Sequence, residues 1–331
     1  MSNNRPSYEK INYSLRPAKN IERKMMAEVI GCLERFRPLR NYQYVGFGSI
    51  FFADFRLFHR SLGMNEMVSI ECNERDKDRV DFNRPYNCVD VRMGMSYDVL
   101  PHLDWKQRTI AWLDYDHELA HHVLLDVDLI CSRIQSGSVL AVTLDGESKR
   151  LKNPKTVRKE DRGDWPKKRI QQFERLVGQA HVSPELKRQR LQGSALMETY
   201  RELLTNQIEE TLRTINLGAT DEEKWLFQQI FNFRYDDGAK MMTIGWVLFQ
   251  SRDADSIDKC GFESSAFFRN GAKPVQISVP NLTFREMRSL DRHLPKVSNQ
   301  KEYDAIPVPE EDKERYRALY RFFPAFSETD L

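Results

Sequence analysis

Residues able to do chemistry recur at even intervals between positions 46 and 117. Gly46, Phe47, Gly48 and Ser49 stand in YVGFGS, where an apolar run breaks at glycine. Glycine lets a backbone approach a ligand closely, and a helix opening there turns free N–H groups toward it, with Ser49 placed to cap. Glu71 ends EMVSIE, a position from which a carboxylate can accept hydrogen bonds from both hydroxyls of a ribose. Gly94 and Met95 follow VDVRM, and a small residue before a flexible apolar one suits the edge of a flat ring. WLDYDHE then groups Asp114, Asp116 and His117, which can take a proton, bind an ammonium or hold a divalent ion. Each has an ordinary reading too: a tight turn, a solvated strand-end carboxylate, a core methionine, and helix caps at Asp116 and His117. Phe51 stands where a dinucleotide fingerprint keeps its third small residue, which disfavours a pyrophosphate-bearing dinucleotide.

Positioning these groups falls to an alternation of elements. Strand-like runs at 42–48, 66–73, 88–94, 108–116 and 138–146 are separated by helix-like stretches. That pattern predicts parallel βαβ units in a Rossmann-like doubly wound α/β sheet, with a crevice at the carboxyl ends of the strands. A glycine turn, an acid, a glycine–methionine step and a second acid then share one edge. Before the first strand, Ile21, Met25, Met26, Val29, Ile30 and Leu33 predict an amphipathic helix over 20–36, stopped by Pro38. After the fifth strand the alternation breaks into a basic stretch, 149–175, and a long helical region. Two β-rich runs joined by Asp237-Gly238 predict a closing antiparallel hairpin, and a tail with a short strand and helices follows. The expected organisation is an N-terminal helical segment (1–37), a core (38–147 and 226–250), a basic helical insertion (148–225) and a C-terminal extension (251–331) packed on the core.

Composition narrows the partners. A formal charge of +2, from 51 basic and 49 acidic residues, gives no global field to attract nucleic acid or an anionic membrane. Five scattered cysteines without a CxxC pair argue against disulfides or a zinc cluster and for a reducing cytoplasm. No apolar run reaches signal-peptide or membrane-span length, so a cytoplasmic chain is expected.

With these motifs in place, the chain resembles the class I S-adenosylmethionine-dependent methyltransferases over residues 20–250. YVGFGS looks like their first motif, Glu71 like their ribose-binding acid, Gly94-Met95 like the adenine-side step and Asp114 like the acid beside the methionine end. VGFGSIFFADF, SIECN and NYSLRPAKNIERKMM resemble more narrowly a bacterial and prophage family called putative O-methyltransferases. The resemblance implies S-adenosylmethionine as cofactor, bound by Gly46, Phe47, Gly48, Ser49, Glu71, Gly94, Met95 and Asp114. It implies a seven-stranded sheet ending in an antiparallel hairpin, and methyl transfer to an oxygen or nitrogen nucleophile with Asp114, Asp116 and His117 as catalytic candidates. Met95-Ser96 stands where the class often has an acid. Asp114 and Asp145 also look like two ligands of the metal-dependent O-methyltransferases, but Gly146 replaces their asparagine, and no metal is assigned.

Two basic clusters complete the reading. Arg16, Lys19, Arg23 and Lys24 form either a solvated helix face or a lid over a carboxylate. Lys167, Lys168 and Arg169 offer contacts to a phosphate backbone, but no nucleic-acid motif accompanies them, and a solvated loop is the preferred reading. The expected partner is a methyl acceptor; self-association and non-catalytic ligand binding stay open.

Overall fold

The computed structural model describes residues 16–147, 151, 165–236 and 238–324. Asp237 of the expected turn, most of the basic stretch before Trp165 and the N-terminal residues preceding Arg16 lie outside them.

Five strands alternate with helices as expected: β1 (Gln43–Gly46), β2 (Glu66–Glu71), β3 (Val89–Met93), β4 (Thr109–Asp114) and β5 (Ser138–Asp145). A long hairpin, β6 (Trp225–Asp236) with β7 (Lys240–Gln250), follows, and β8 (Val275–Ile277) completes an eight-stranded sheet of order β3-β2-β1-β4-β5-β7-β6-β8. Only β7 runs against its neighbours. The hairpin does not close the sheet, because β8 from the C-terminal extension pairs parallel to β6 outside it.

Both faces of the sheet are covered, which is why its strands read as almost continuous apolar runs. Alternate residues serve opposite cores. Tyr44, Ile110, Trp112, Val139 and Ala141 face α1 (Pro17–Gly31), α2 (Ala53–Leu62) and α3 (Lys77–Asn83). Val45, Ala111, Leu113, Leu140 and Val142 face α4 (Ser96–Val99), α5 (His121–Arg133), α6 (Trp165–Val177) and α7 (Gly193–Ile215). Strand order reverses at β1, so the ends of β2 and β4 flank the end of β1 across the switch point.

Two helices depart from expectation in ways that shape this edge. α1 starts at Pro17, whose fixed φ and missing N–H suit a first turn, and is buried nearly all round, with only Glu28 exposed. An amphipathic helix was expected, and the opposite face is covered as well: α1 packs on α2, β6 and β8, Leu319, Phe322 and Phe323 of the C-terminal extension join the same core, and Lys24 Nζ donates to Phe322 O at 3.0 Å. α2 begins at Ala53, later than the glycine turn implies, after a tight loop in which Phe52 N donates to Gly48 O at 2.8 Å.

Candidate functional site

β1 delivers Gly46 to the carboxyl edge opposite Ser69 of β2 and Trp112 of β4. The turn beyond it is strained: Ser49 (φ 50°) and Phe52 (φ 46°) both occupy the left-handed region, which costs a non-glycine residue on the order of 1 kcal/mol or more. Ser49 does not cap α2; its Oγ accepts from Phe51 N at 3.3 Å instead. Nor do the glycines leave room simply for a ligand. A Cβ on Gly48 would lie 2.6 Å from Ser69 Oγ and 2.7 Å from the Phe52 ring, and one on Gly46 would lie 2.5 Å from the Tyr44 hydroxyl. On that side the turn is closed by the chain's own side chains.

Those contacts orient the first carboxylate. Gly48 N donates to Ser69 Oγ at 3.0 Å, and Ser69 Oγ donates to Glu71 Oε1 at 2.7 Å. Glu71 is 8% exposed, and burial pushes its carboxyl up to about 7, against the pull of Ser69 and of the Ser49 and Gly48 N–H groups. No salt bridge to a cation is found for it among the described residues. Gly94 N donates to Glu71 O at 2.9 Å, which ties the third strand end to the second, and Met95 is 41% exposed beside it. Below, Asp126 accepts from Ser96 and Tyr115, and Phe47 packs edge-on against Tyr115 at 5.3 Å.

The second carboxylate has a different setting. Asp114 Oδ1 accepts from Lys19 Nζ at 2.7 Å, and the same ammonium lies 2.8 Å from Glu22 Oε2 and 4.5 Å from the Trp112 ring centroid. Lys19 and Glu22 are buried, whereas Asp114 keeps 22% exposure. Burial raises the Glu22 carboxyl and Lys19 opposes that. Nearby, the Tyr44 hydroxyl donates to buried Asp54 at the start of α2, whose carboxyl burial also pushes up. Arg23, one helical turn after Lys19, is buried as well. Of the basic N-terminal cluster, Lys19 and Arg23 thus belong to the interior and not to a solvated face.

Asp116 is exposed, and His117 is half-buried. Neither caps α5, which starts at His121 after Ala120. His117 Nδ1 lies 2.7 Å from Glu118 O, so it must be the N–H donor, which leaves the lone pair on Nε2. His122 Nε2 faces that atom at 3.4 Å and is therefore the donor of the pair. Asp145 is buried at the end of β5, where Glu147 N donates to its Oδ1 at 2.8 Å. Among the described residues no group of three His, Cys, Asp or Glu side chains comes together as a metal-ligand set.

The sequence reading put Gly46, Phe47, Gly48, Ser49, Glu71, Gly94, Met95 and Asp114 at the carboxyl ends of β1 to β4, and the strands end there. It missed Ser69, Tyr44, Asp54, Glu22 and His122. Lys19-Glu22-Arg23 carried a usable signal, a charged triplet at i, i+3 and i+4 inside an apolar helical pattern. Ser69 looked like an ordinary strand serine and carried none. Arg169 leaves the proposed phosphate-contact trio: it is buried, and its Nη2 donates to Leu191 O at 2.6 Å. An open groove of about 410 Å³ along Leu212, Asn216, Trp225 and Phe227 lies at the opposite end of β6, away from the strand ends.

Glu71 offers carboxylate oxygen to paired hydroxyls, the edge of Met95 is open to a flat ring, and Asp114 has an Oδ2 that Lys19 does not use. Two carboxylate acceptors beside an open apolar edge would suit a nucleoside carrying an ammonium. A family model described as putative O-methyltransferase matches residues 11–331. No curated protein sequence matches the chain. Among solved structures, the O-methyltransferase TomG from Streptomyces achromogenes, solved with SAM, is 12% identical over 74% of this chain and 100% of its own, with a TM-score of 0.34. An O-methyltransferase from Bacillus cereus in complex with SAH is 12% identical over 67% of this chain and 80% of its own, with a TM-score of 0.32. A putative O-methyltransferase from Klebsiella pneumoniae is 10% identical over 69% and 88%, also at 0.32. Similarity at that level carries no residue roles across.

Proposed function

We propose that this chain, which belongs to the putative O-methyltransferase family, binds S-adenosylmethionine at the carboxyl edge of β1 to β4 and transfers its methyl group to an oxygen nucleophile. The observation that carries the reading is Glu71, fixed beneath the glycine turn by Ser69 on the same edge as Gly94-Met95 and Asp114. When bound, the cofactor supplies an electrophilic methyl group on a positively charged sulfur.

The chain's own residues divide the remaining work. Glu71, once ionised, would accept the ribose hydroxyls, Met95 would face the base and Asp114 Oδ2 would receive the ammonium. Asp114 is a poor choice of general base, since Lys19 occupies its Oδ1 and the ammonium would occupy its Oδ2. His117 suits that role better, because its Nδ1–H is engaged and its Nε2 lone pair is turned toward His122. An acceptor hydroxyl that displaces His122 from that lone pair would have its proton removed there. Most of the rate would come from alignment of acceptor and methyl group, with the base adding less. No helix among the described residues is long and apolar enough to cross a membrane. We place the chain in a reducing bacterial cytoplasm on its free cysteines.

The test is calorimetric titration of S-adenosylhomocysteine into the wild-type chain and Glu71→Ala. Micromolar binding by the first and none by the second is expected. A folded wild type that binds neither S-adenosylhomocysteine nor S-adenosylmethionine would overturn the reading.

A further inference from the structure

Arg23 is 5% exposed, and neither its Nε nor its Nη1 has a hydrogen-bond partner. It forms no salt bridge among the described residues. A guanidinium cannot shed its charge at any ordinary pH, so burying it unpaired is costly in a way that burying Glu22 or Asp54 is not. Each carboxylate around it has another partner. Asp54 accepts from Tyr44, and Asp114 and Glu22 share Lys19.

Its place in the site is fixed by its neighbours. The Arg23 charge opposes the burial that raises Asp54 and Tyr44, and Tyr44 also feels Asp114. The Tyr44 hydroxyl lies against Gly46, where the glycine turn begins. Arg23 therefore stands on α1 one helical turn beyond Lys19, the residue bonded to Asp114, with its Nε and Nη1 unbonded.

We propose that Arg23 is a carboxylate-binding residue of this site, its fork receiving a planar monoanion from a bound ligand. Asp54 already lies within reach of its charge, and that carboxyl, when ionised, would repel a doubly charged phosphate more strongly than a singly charged carboxylate. The carboxylate belongs either to the amino-acid end of the cofactor, a source that rests on the function proposed above, or to an acidic methyl acceptor.

Titration of S-adenosylhomocysteine and of its analogue lacking the α-carboxylate into wild type, Arg23→Met and Arg23→Lys separates these sources. Thermal unfolding with and without millimolar benzoate is measured alongside. If the cofactor supplies the carboxylate, Arg23→Met weakens S-adenosylhomocysteine about tenfold or more but leaves the analogue unchanged. If the acceptor supplies it, S-adenosylhomocysteine is unaffected, and benzoate raises the melting temperature of wild type but not of Arg23→Met. Arg23→Lys keeps the charge without the fork and falls between in either case. Equal loss of both nucleosides, or no dependence of any probe on Arg23, overturns the proposal. Failure of wild type to bind either nucleoside would refute the cofactor reading alone, and the benzoate comparison would still decide on Arg23.

Discussion

Glu71 and Asp114 end the strands on either side of β1, on one edge of one sheet, yet their surroundings are opposite. Glu71 is held by a serine and two backbone N–H groups, has no salt-bridged cation among the described residues, and is pushed up to about 7 by burial. Asp114 is bonded to a buried ammonium. The difference lies in α1, whose Lys19 reaches Asp114 and carries buried Glu22 and Arg23 with it. A carboxylate at a strand end is only a position; the third element packed against it decides whether it is a tunable acceptor or one half of an ion pair.

The comparison breaks most sharply at Lys19. Lys19→Met should lower stability by about 3 kcal/mol in urea unfolding at neutral pH, because it strands buried Glu22 and leaves partly exposed Asp114 without the ammonium they share. A variant as stable as wild type would mean that Asp114 does not depend on α1.

Glu71 should respond in the other direction. Its folded-state pKa is raised, so its contribution to stability is intact below its ordinary value of 4.5 and is lost as pH climbs through about 7. Glu71→Gln should therefore gain up to about 3 kcal/mol over wild type at pH 8 and little at pH 5, while binding S-adenosylhomocysteine less tightly. Equal stability of the two proteins across that range would remove the contrast with Asp114.

Gly48→Ala probes the contact that orients Glu71. Overpacking against Ser69 and the Phe52 ring should cost about 1–3 kcal/mol and weaken nucleoside binding along with it. Normal affinity in this variant would detach Glu71 from the turn.

The smallest effect sharpens the contrast further. Wild-type affinity for S-adenosylhomocysteine should fall by about tenfold per pH unit below about 7 as Glu71 takes up its proton, and Glu71→Gln should bind weakly with no such slope. A wild-type affinity flat from pH 8 to 6 would show that the ionised carboxylate is not what the ligand meets.

The sequence by itself determined the sheet and the shared edge. Hydrophobic period and the spacing of glycine and acid are local properties, and strands buried on both faces display them as unbroken apolar runs. So the five parallel strands, the hairpin, Glu71 and Asp114 were all legible. Only the tertiary structure decided what those carboxylates are. The ion pair from Lys19 to Asp114 spans 95 residues of chain, and the burial of α1 depends on Phe322, almost 300 residues beyond Lys24. Neither leaves a periodic trace. A lysine on a helix reads as solvated until other elements remove the water from it, and for Lys19 those are Asp114 and Trp112 of β4 and Tyr235 of β6, distant in the chain.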